Sequence, residues 1–313
     1  MEQCKSCNTS IFPEALFCHN CGRQTERVKI ICSECKNVNP KDARFCFRCG
    51  SPIDISYSPK PYISPVFGLD FSNIQTIPRQ ISESFERSLS IALEYENNTE
   101  KEALFLAIYH ESDFKIKQLE EACILLTQEF EELYDERGKS AFNVIEKRLD
   151  QQFAQLFECF AVEYCNHLLA QPLPKSILAF KDNNIRSRNL GLMIRTYLEI
   201  PLDKQHFFQA VEIPLAILKN TRKTFFYNSD KPPLFFCDLS ILQNGKEGLI
   251  LSSDSIYWKC CFHKSAFMKY SEINNIHYYS DHLKINGIYL NIDTAFNYRL
   301  YRLLIRLKTM SYL

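Results

Sequence analysis

Residues 1–24 read MEQCKSCNTSIFPEALFCHNCGRQ, and residues 30–52 read IICSECKNVNPKDARFCFRCGSP. The first stretch spaces Cys4, Cys7, Cys18 and Cys21 as C-x2-C-x10-C-x2-C. The second spaces Cys32, Cys35, Cys46 and Cys49 in the same way, 28 residues later. Each C-x2-C pair bends the backbone so that both sulfurs face one ion, and two such pairs complete a tetrahedral site with Zn–S near ~2.3 Å. A unit this short buries too little apolar surface to fold alone. Metal binding, on the order of 10–16 kcal/mol in zinc peptides, supplies the difference. Four thiolates leave no open position for water, so the two Zn2+ ions expected here are structural. A disulfide framework is the competing reading. The residue-for-residue repeat and the absence of an apolar export signal argue against it.

Other residues of the repeat agree with metal binding. Gly22 and Gly50 follow the last cysteine of each copy, where a left-handed backbone is convenient. Phe17 and Phe45 precede the third cysteine of each copy, placed to pack over a metal site. With these features residues 1–52 resemble the double zinc ribbon, whose units often read C-x2-C-G…F-C-x2-C-G. Asn8 and Lys36 stand where the first glycine of each unit is common.

Beyond the repeat, the 313 residues leave room for two or three domains, and 46% hydrophobic with 24% charged residues is ordinary for a soluble globular protein. No apolar run approaches the roughly 18 residues of a membrane span. The zero net charge hides an asymmetry. Residues 76–170 carry 9 Lys+Arg against 19 Asp+Glu, and residues 171–313 carry 19 against 11. Such segments attract one another or face different partners, though many of these charges belong to solvated helix faces. Of the 14 cysteines, Cys123, Cys159, Cys165, Cys237, Cys260 and Cys261 have no metal spacing. In a cytoplasmic chain they read as reduced, mostly buried small hydrophobes.

Residues 53–75 are rich in Pro and Ser and read as a semi-extended linker. Residues 76–225 carry helical periodicity, which predicts an antiparallel helical bundle. Ile77, Ile81, Phe85, Leu89 and Leu93 form one stripe. Thr99 and Glu102 predict a capping box. Asp113 is placed to cap a helix lined by Ile116, Leu119, Cys123, Leu126 and Phe130. A long stripe then runs from Phe142 to Tyr164, and further helices are expected near 184–199 and 203–219. His110-Glu111 and Glu163-x3-His167 come nearest to a catalytic pair, but neither is H-E-x-x-H. There is no G-x-x-x-x-G-K-[ST], G-x-G-x-x-G or G-x-S-x-G motif, and the chain has only 8 glycines. No catalytic residue is assigned, and a non-enzymatic protein is expected.

Residues 233–313 change texture. LFFCDLSI, EGLILSSDSIYWKCC, SAFMKYSEINNIHYY, HLKI and IYLNI are β-rich runs divided by turn signals, and a helix near 294–310 closes the chain. Leu300, Leu303, Leu304 and Leu307 mark its apolar face, with Arg299, Arg302 and Arg306 along one side. The run GKEGLILSSDSIYWK…MKYSEINNI…LKINGIYLNI is similar to bacterial PH-like domains, which implies a β-barrel with a capping helix. Trp258 and Tyr257 are expected in the core, with one facing outward if the strand alternates. Between Leu234 and Ser253 the only base is Lys246, which argues against phosphoinositide binding.

The architecture expected is therefore multidomain α+β: two small zinc ribbons, a helical bundle and a PH-like barrel. The function expected is a cytoplasmic adaptor or regulator acting through protein–protein interaction, homo-oligomers included. The alternative is a zinc-ribbon nucleic-acid-binding protein. Arg23, Arg44, Phe47 and Arg48 are the candidate contacts, Phe47 by stacking on a base. The net charge of only +3 over residues 1–60 is thin for a phosphate binder.

Overall fold

The computed structural model describes residues 2–3, 10–11, 29–31, 38–40, 46, 48, 69–70, 73–180, 187–199, 206–227 and 229–310. The chain divides into two compact units, Met1–Pro61 and Tyr62–Leu313. Most of the linker stretch 53–75 lies outside the described residues.

In the first unit, strand β1 (Glu2–Gln3) pairs antiparallel with β2 (Ser10–Ile11), and β3 (Lys29–Ile31) pairs antiparallel with β4 (Val38–Pro40). The registers repeat with the sequence. Glu2 opposite Ile11 becomes Ile30 opposite Asn39, and Gln3 opposite Ser10 becomes Ile31 opposite Val38, each shifted by 28 residues. Each hairpin therefore brackets the first C-x2-C of its copy.

The second unit opens with helices α1 (Ile77–Tyr95), α2 (Glu102–Glu111), α3 (Glu120–Arg137), α4 (Phe142–Glu163) and α5 (Ser187–Leu198). The α1 stripe at spacing four is wholly buried, as predicted. Its Phe85 meets Tyr109, Phe114 and Phe153 at ring separations of 5.6–5.9 Å, which forms the aromatic centre of the helical layer.

Three local expectations are corrected. No capping box forms at Thr99: residues Thr99–Lys101 make a 3-10 turn, and the Glu102 amide donates to the Thr99 carbonyl, the backbone itself satisfying that donor. Asp113 does not cap α3. Its carboxylate takes the Tyr164 hydroxyl at 2.6 Å and pairs with Lys117, tying the α2–α3 connection to the end of α4. Ile116 is not core but 69% exposed. A π-turn over Lys115–Leu119 adds a residue to the helical repeat and rotates Ile116 away from the stripe, while Phe114 is fully buried.

The segment expected as a helix at 203–219 is instead strand β5 (Phe207–Gln209) followed by helix α6 (Leu215–Thr224). The adjacent phenylalanines of β5 stack across the ladder, Phe207 on Phe235 and Phe208 on Phe236, a pairing no helix provides.

Then come β6 (Phe235–Asp238), β7 (Gly248–Leu251), β8 (Ser255–Lys259) and β9 (Ala266–Lys269). With β5 they form a five-stranded antiparallel sheet in sequence order. Strands β10 (Ile276–Tyr279), β11 (His282–Ile285) and β12 (Ile288–Leu290) form a separate three-stranded antiparallel sheet. Asn286 and Gly287, at φ 47° and 82°, make the two-residue turn expected from the NG signal. No ladder joins the two sheets among the described residues, so they do not close into one barrel. Helix α7 (Thr294–Met310) ends the fold where the sequence predicts it.

One hydrophobic core runs from α1 through α7 to the inner faces of the sheets. A smaller core lies on the other face of the five-stranded sheet, where Phe225 and Phe226 after α6 pack on Phe236, Ile250 and Tyr257. Both Trp258 and Tyr257 are therefore buried, at 1% and 7% exposure, although they point to opposite faces. No helix among the described residues is long and apolar enough to cross a membrane.

Candidate functional site

Of the eight candidate zinc ligands, Cys46 is described; Cys4, Cys7, Cys18, Cys21, Cys32, Cys35 and Cys49 lie outside the described residues, as do Arg23, Arg44 and Phe47. Cys46 is buried and its sulfur accepts the backbone amide of Arg48 at 3.4 Å. An amide two residues on is placed to hydrogen-bond a metal-bound sulfur as well. The Cys46 environment thus fits a metal ligand. Arg48 is exposed.

The family model for the double zinc ribbon matches residues 4–50, from the first cysteine of the pattern to the glycine after the last. The first unit therefore carries a double zinc ribbon, a domain that implies zinc binding. No curated protein and no solved structure matches the chain.

Of the remaining cysteines, Cys123, Cys165, Cys237 and Cys260 are buried, and Cys159 and Cys261 are half-buried. Burial pushes the Cys123 and Cys260 thiols up to about 11 and the Cys165 thiol to about 12, so they stay protonated. No group of three His, Cys, Asp or Glu side chains able to hold a metal occurs among the described residues. His110 lies on the surface, 3.6 Å from Glu86 on the neighbouring helix. Glu163 accepts a hydrogen bond from Gln118, and His167 is exposed.

A different cluster emerges where α7 crosses the helical layer. Arg302 donates from Nη1 to Glu96 Oε1 at 2.7 Å, and Nη2 lies 3.8 Å from Glu158. The Tyr298 hydroxyl donates to Glu96 at 3.2 Å and the Tyr197 hydroxyl to Glu158 at 2.7 Å. Arg306 donates to the Phe180 carbonyl, and Arg299 pairs with Glu199. Glu96 follows the last residue of α1, where the helix dipole disfavours a carboxylate. Burial pushes its pKa up, while Arg302 and Tyr298 pull it back. Burial also works against the Arg302 charge, but Glu96, Tyr298 and Glu158 outweigh it and hold the guanidinium above its ordinary pKa. The Glu96–Arg302 pair is ionised, because a neutral Glu96 would strand a buried guanidinium. Sequence reasoning placed the arginines along one side of α7 but not their partners. Three arginines along the side of a helix whose apolar face is leucine were the available signal.

Proposed function

We propose that this chain is a non-enzymatic zinc-ribbon adaptor of the cytoplasm. It holds two structural Zn2+ ions, one on Cys4, Cys7, Cys18 and Cys21 and the other on Cys32, Cys35, Cys46 and Cys49. The repeated hairpin register supports the metal reading: two strand pairs related by the same 28-residue shift flank the first C-x2-C of each copy in sequence. Residues 233–313 are a PH-like scaffold used for protein contact. The run of four strands β6–β9, three strands β10–β12 and a closing helix supports that reading.

Protein partners are favoured by large apolar side chains left in solvent around the five-stranded sheet. Val211 and Leu215 flank the entry to α6, and Ile241 and Leu242 sit on the loop that Asn220 of α6 holds through the Asn244 carbonyl. Exposed apolar groups of this size are what a protein interface buries. Phosphate recognition has less support, because Lys246 is the single base between Leu234 and Ser253, which span β6, β7 and their loop.

Native mass spectrometry of the full chain, purified without added metal or chelator, tests this. Two zinc ions per chain in a discrete oligomer, or with a bound protein, is the expected result. Fewer than two zincs in folded protein overturns the metal reading, and heterogeneous bound nucleic acid replaces the adaptor with the alternative.

A further inference from the structure

The charge asymmetry of the sequence is concentrated on two helix faces of the second unit. Helix α3 carries seven acids against one base, Arg137. Glu121, Ile124, Leu125, Gln128, Glu132 and Asp135 recur at steps of three and four and are all exposed, so they share its solvent face. Ile124 and Leu125 are 57% and 60% exposed, while Cys123, Leu126 and Phe130 on the other side already supply the core. Two aliphatic side chains framed by acids, on a face the fold does not cover, mark a contact surface.

Helix α6 is its counterpart. Leu215, Lys219 and Arg222 follow at steps of four and three and are all exposed, Leu215 at 84%. Lys223 adds a third base at the same end of the helix. Ile217 and Leu218 turn the other way, toward the sheet. The one acid in α6 and the turn before it, Glu212, accepts the Gln209 amide. Glu121, Glu132, Lys219 and Arg222 enter no ion pair among the described residues.

The two faces match in spacing as well as in sign. Glu132 lies seven residues beyond Leu125, and Arg222 lies seven beyond Leu215. At about 1.5 Å per residue, each step is roughly 10 Å along its helix. Laid parallel, the two helices would seat Leu125 against Leu215 and Glu132 against Arg222 together.

We propose that α3 of one copy of this chain docks on α6 of another. The inference rests on the protein-contact reading and deepens it, and it is independent of the zinc reading. Because the two faces differ, the contact is head-to-tail: each copy offers both, and the assembly closes into a ring or extends. Every added copy brings another double zinc ribbon, so a partner with repeated sites gains avidity without a new contact.

Sedimentation velocity of the full chain over a concentration series tests this. Mass above the monomer, rising with concentration and falling with salt, is expected. Arg222→Glu and Glu132→Arg should each weaken association at least roughly tenfold, since like charges then meet. An equimolar mixture of the two variants should restore it, because one copy is then acidic at both positions and the other basic at both. Leu125→Ser and Leu215→Ser alter exposed side chains only and should each weaken association as well. They serve if circular dichroism shows a charge variant unfolded. A monomer at every concentration, undiminished association in either leucine variant, or a mixture of folded charge variants no stronger than its components overturns the proposal. A monomeric chain with a different protein bound in native mass spectrometry overturns self-docking alone and leaves the adaptor reading standing.

Discussion

At the scale of single residues, environment decides what each group does. Cys46 and Cys260 are both buried cysteines, yet they differ in surroundings. Cys46 sits in a repeated metal spacing, whereas Cys260, whose sulfur also accepts an amide, that of Asn291 at 3.5 Å, follows β8 outside any such spacing, with burial keeping its thiol protonated. Cys46→Ser should therefore reduce bound zinc from two ions to one, read by inductively coupled plasma mass spectrometry. An unchanged zinc content would remove Cys46 from the ligand set. His277 stacks on Tyr95 at 4.8 Å, and its buried Nε2 has no partner among the described residues. Burial, with Lys284 adding to it and Glu94 opposing, holds its pKa below the ordinary histidine value. The unfolded chain then takes up the proton first as pH falls. Stability is full above about pH 6.5 and declines below it, down to the depressed folded value. His277→Phe should flatten that decline in urea unfolding measured between pH 7 and pH 5. His263, depressed by its own burial, accounts for a residual slope.

At the scale of elements, α7 belongs to two layers at once. Its leucines pack into the main core, while Arg302 and Arg306, on the same helix, turn into the helical layer. The periodicity of residues 294–310 made the helix and its apolar face legible. It did not make legible that the arginine side was also buried, because a partner such as Glu96 stands more than two hundred residues away in sequence. Removing one member of such a pair costs about 3–5 kcal/mol, whereas replacing both with apolar groups is often neutral. Glu96→Leu alone and Arg302→Met alone should each lower stability by about that amount, and the double variant should recover most of it. Chemical denaturation of the four proteins gives the cycle, and additive losses would show that the pair is not coupled. The α3 stripe teaches the same lesson locally. The π-turn over Lys115–Leu119 shifted the phase of the helix, which no count at spacing three or four could reveal.

At the scale of the whole molecule, the sequence texture divides the chain near Pro232-Pro233, but the second unit runs from Tyr62 to Leu313. Its core is continuous because α7 contributes to both the helical layer and the sheets. The sheet also draws β5 from the region read as helical. A fragment of residues 233–313 should therefore not reach a native state by itself. It would expose the outer side of α7, leave Arg302 without Glu96 and open the edge of β6. Poor amide dispersion in its nitrogen–proton correlation spectrum is the expected observation, and a well-dispersed monomer would show that the sheets and α7 stand alone. In the first unit, chelation should unfold residues 1–52, seen as loss of their dispersed amide signals, because so short a unit draws its stability from the metal.

What the sequence by itself determined is whatever local spacing encodes. The doubled cysteine pattern named a metal and an architecture, the stripe of α1 named a buried face, and Asn286-Gly287 named a hairpin, since each is a chemical requirement met within a few residues. The tertiary structure alone decided which faces were covered twice. Tyr257 and Trp258 are both buried because α6 and its following phenylalanines close one side of the sheet while the main core closes the other. It alone brought Glu96 to Arg302. Burial and charge pairing are properties of the neighbours a residue acquires on folding, and those neighbours are drawn from positions the local pattern does not specify.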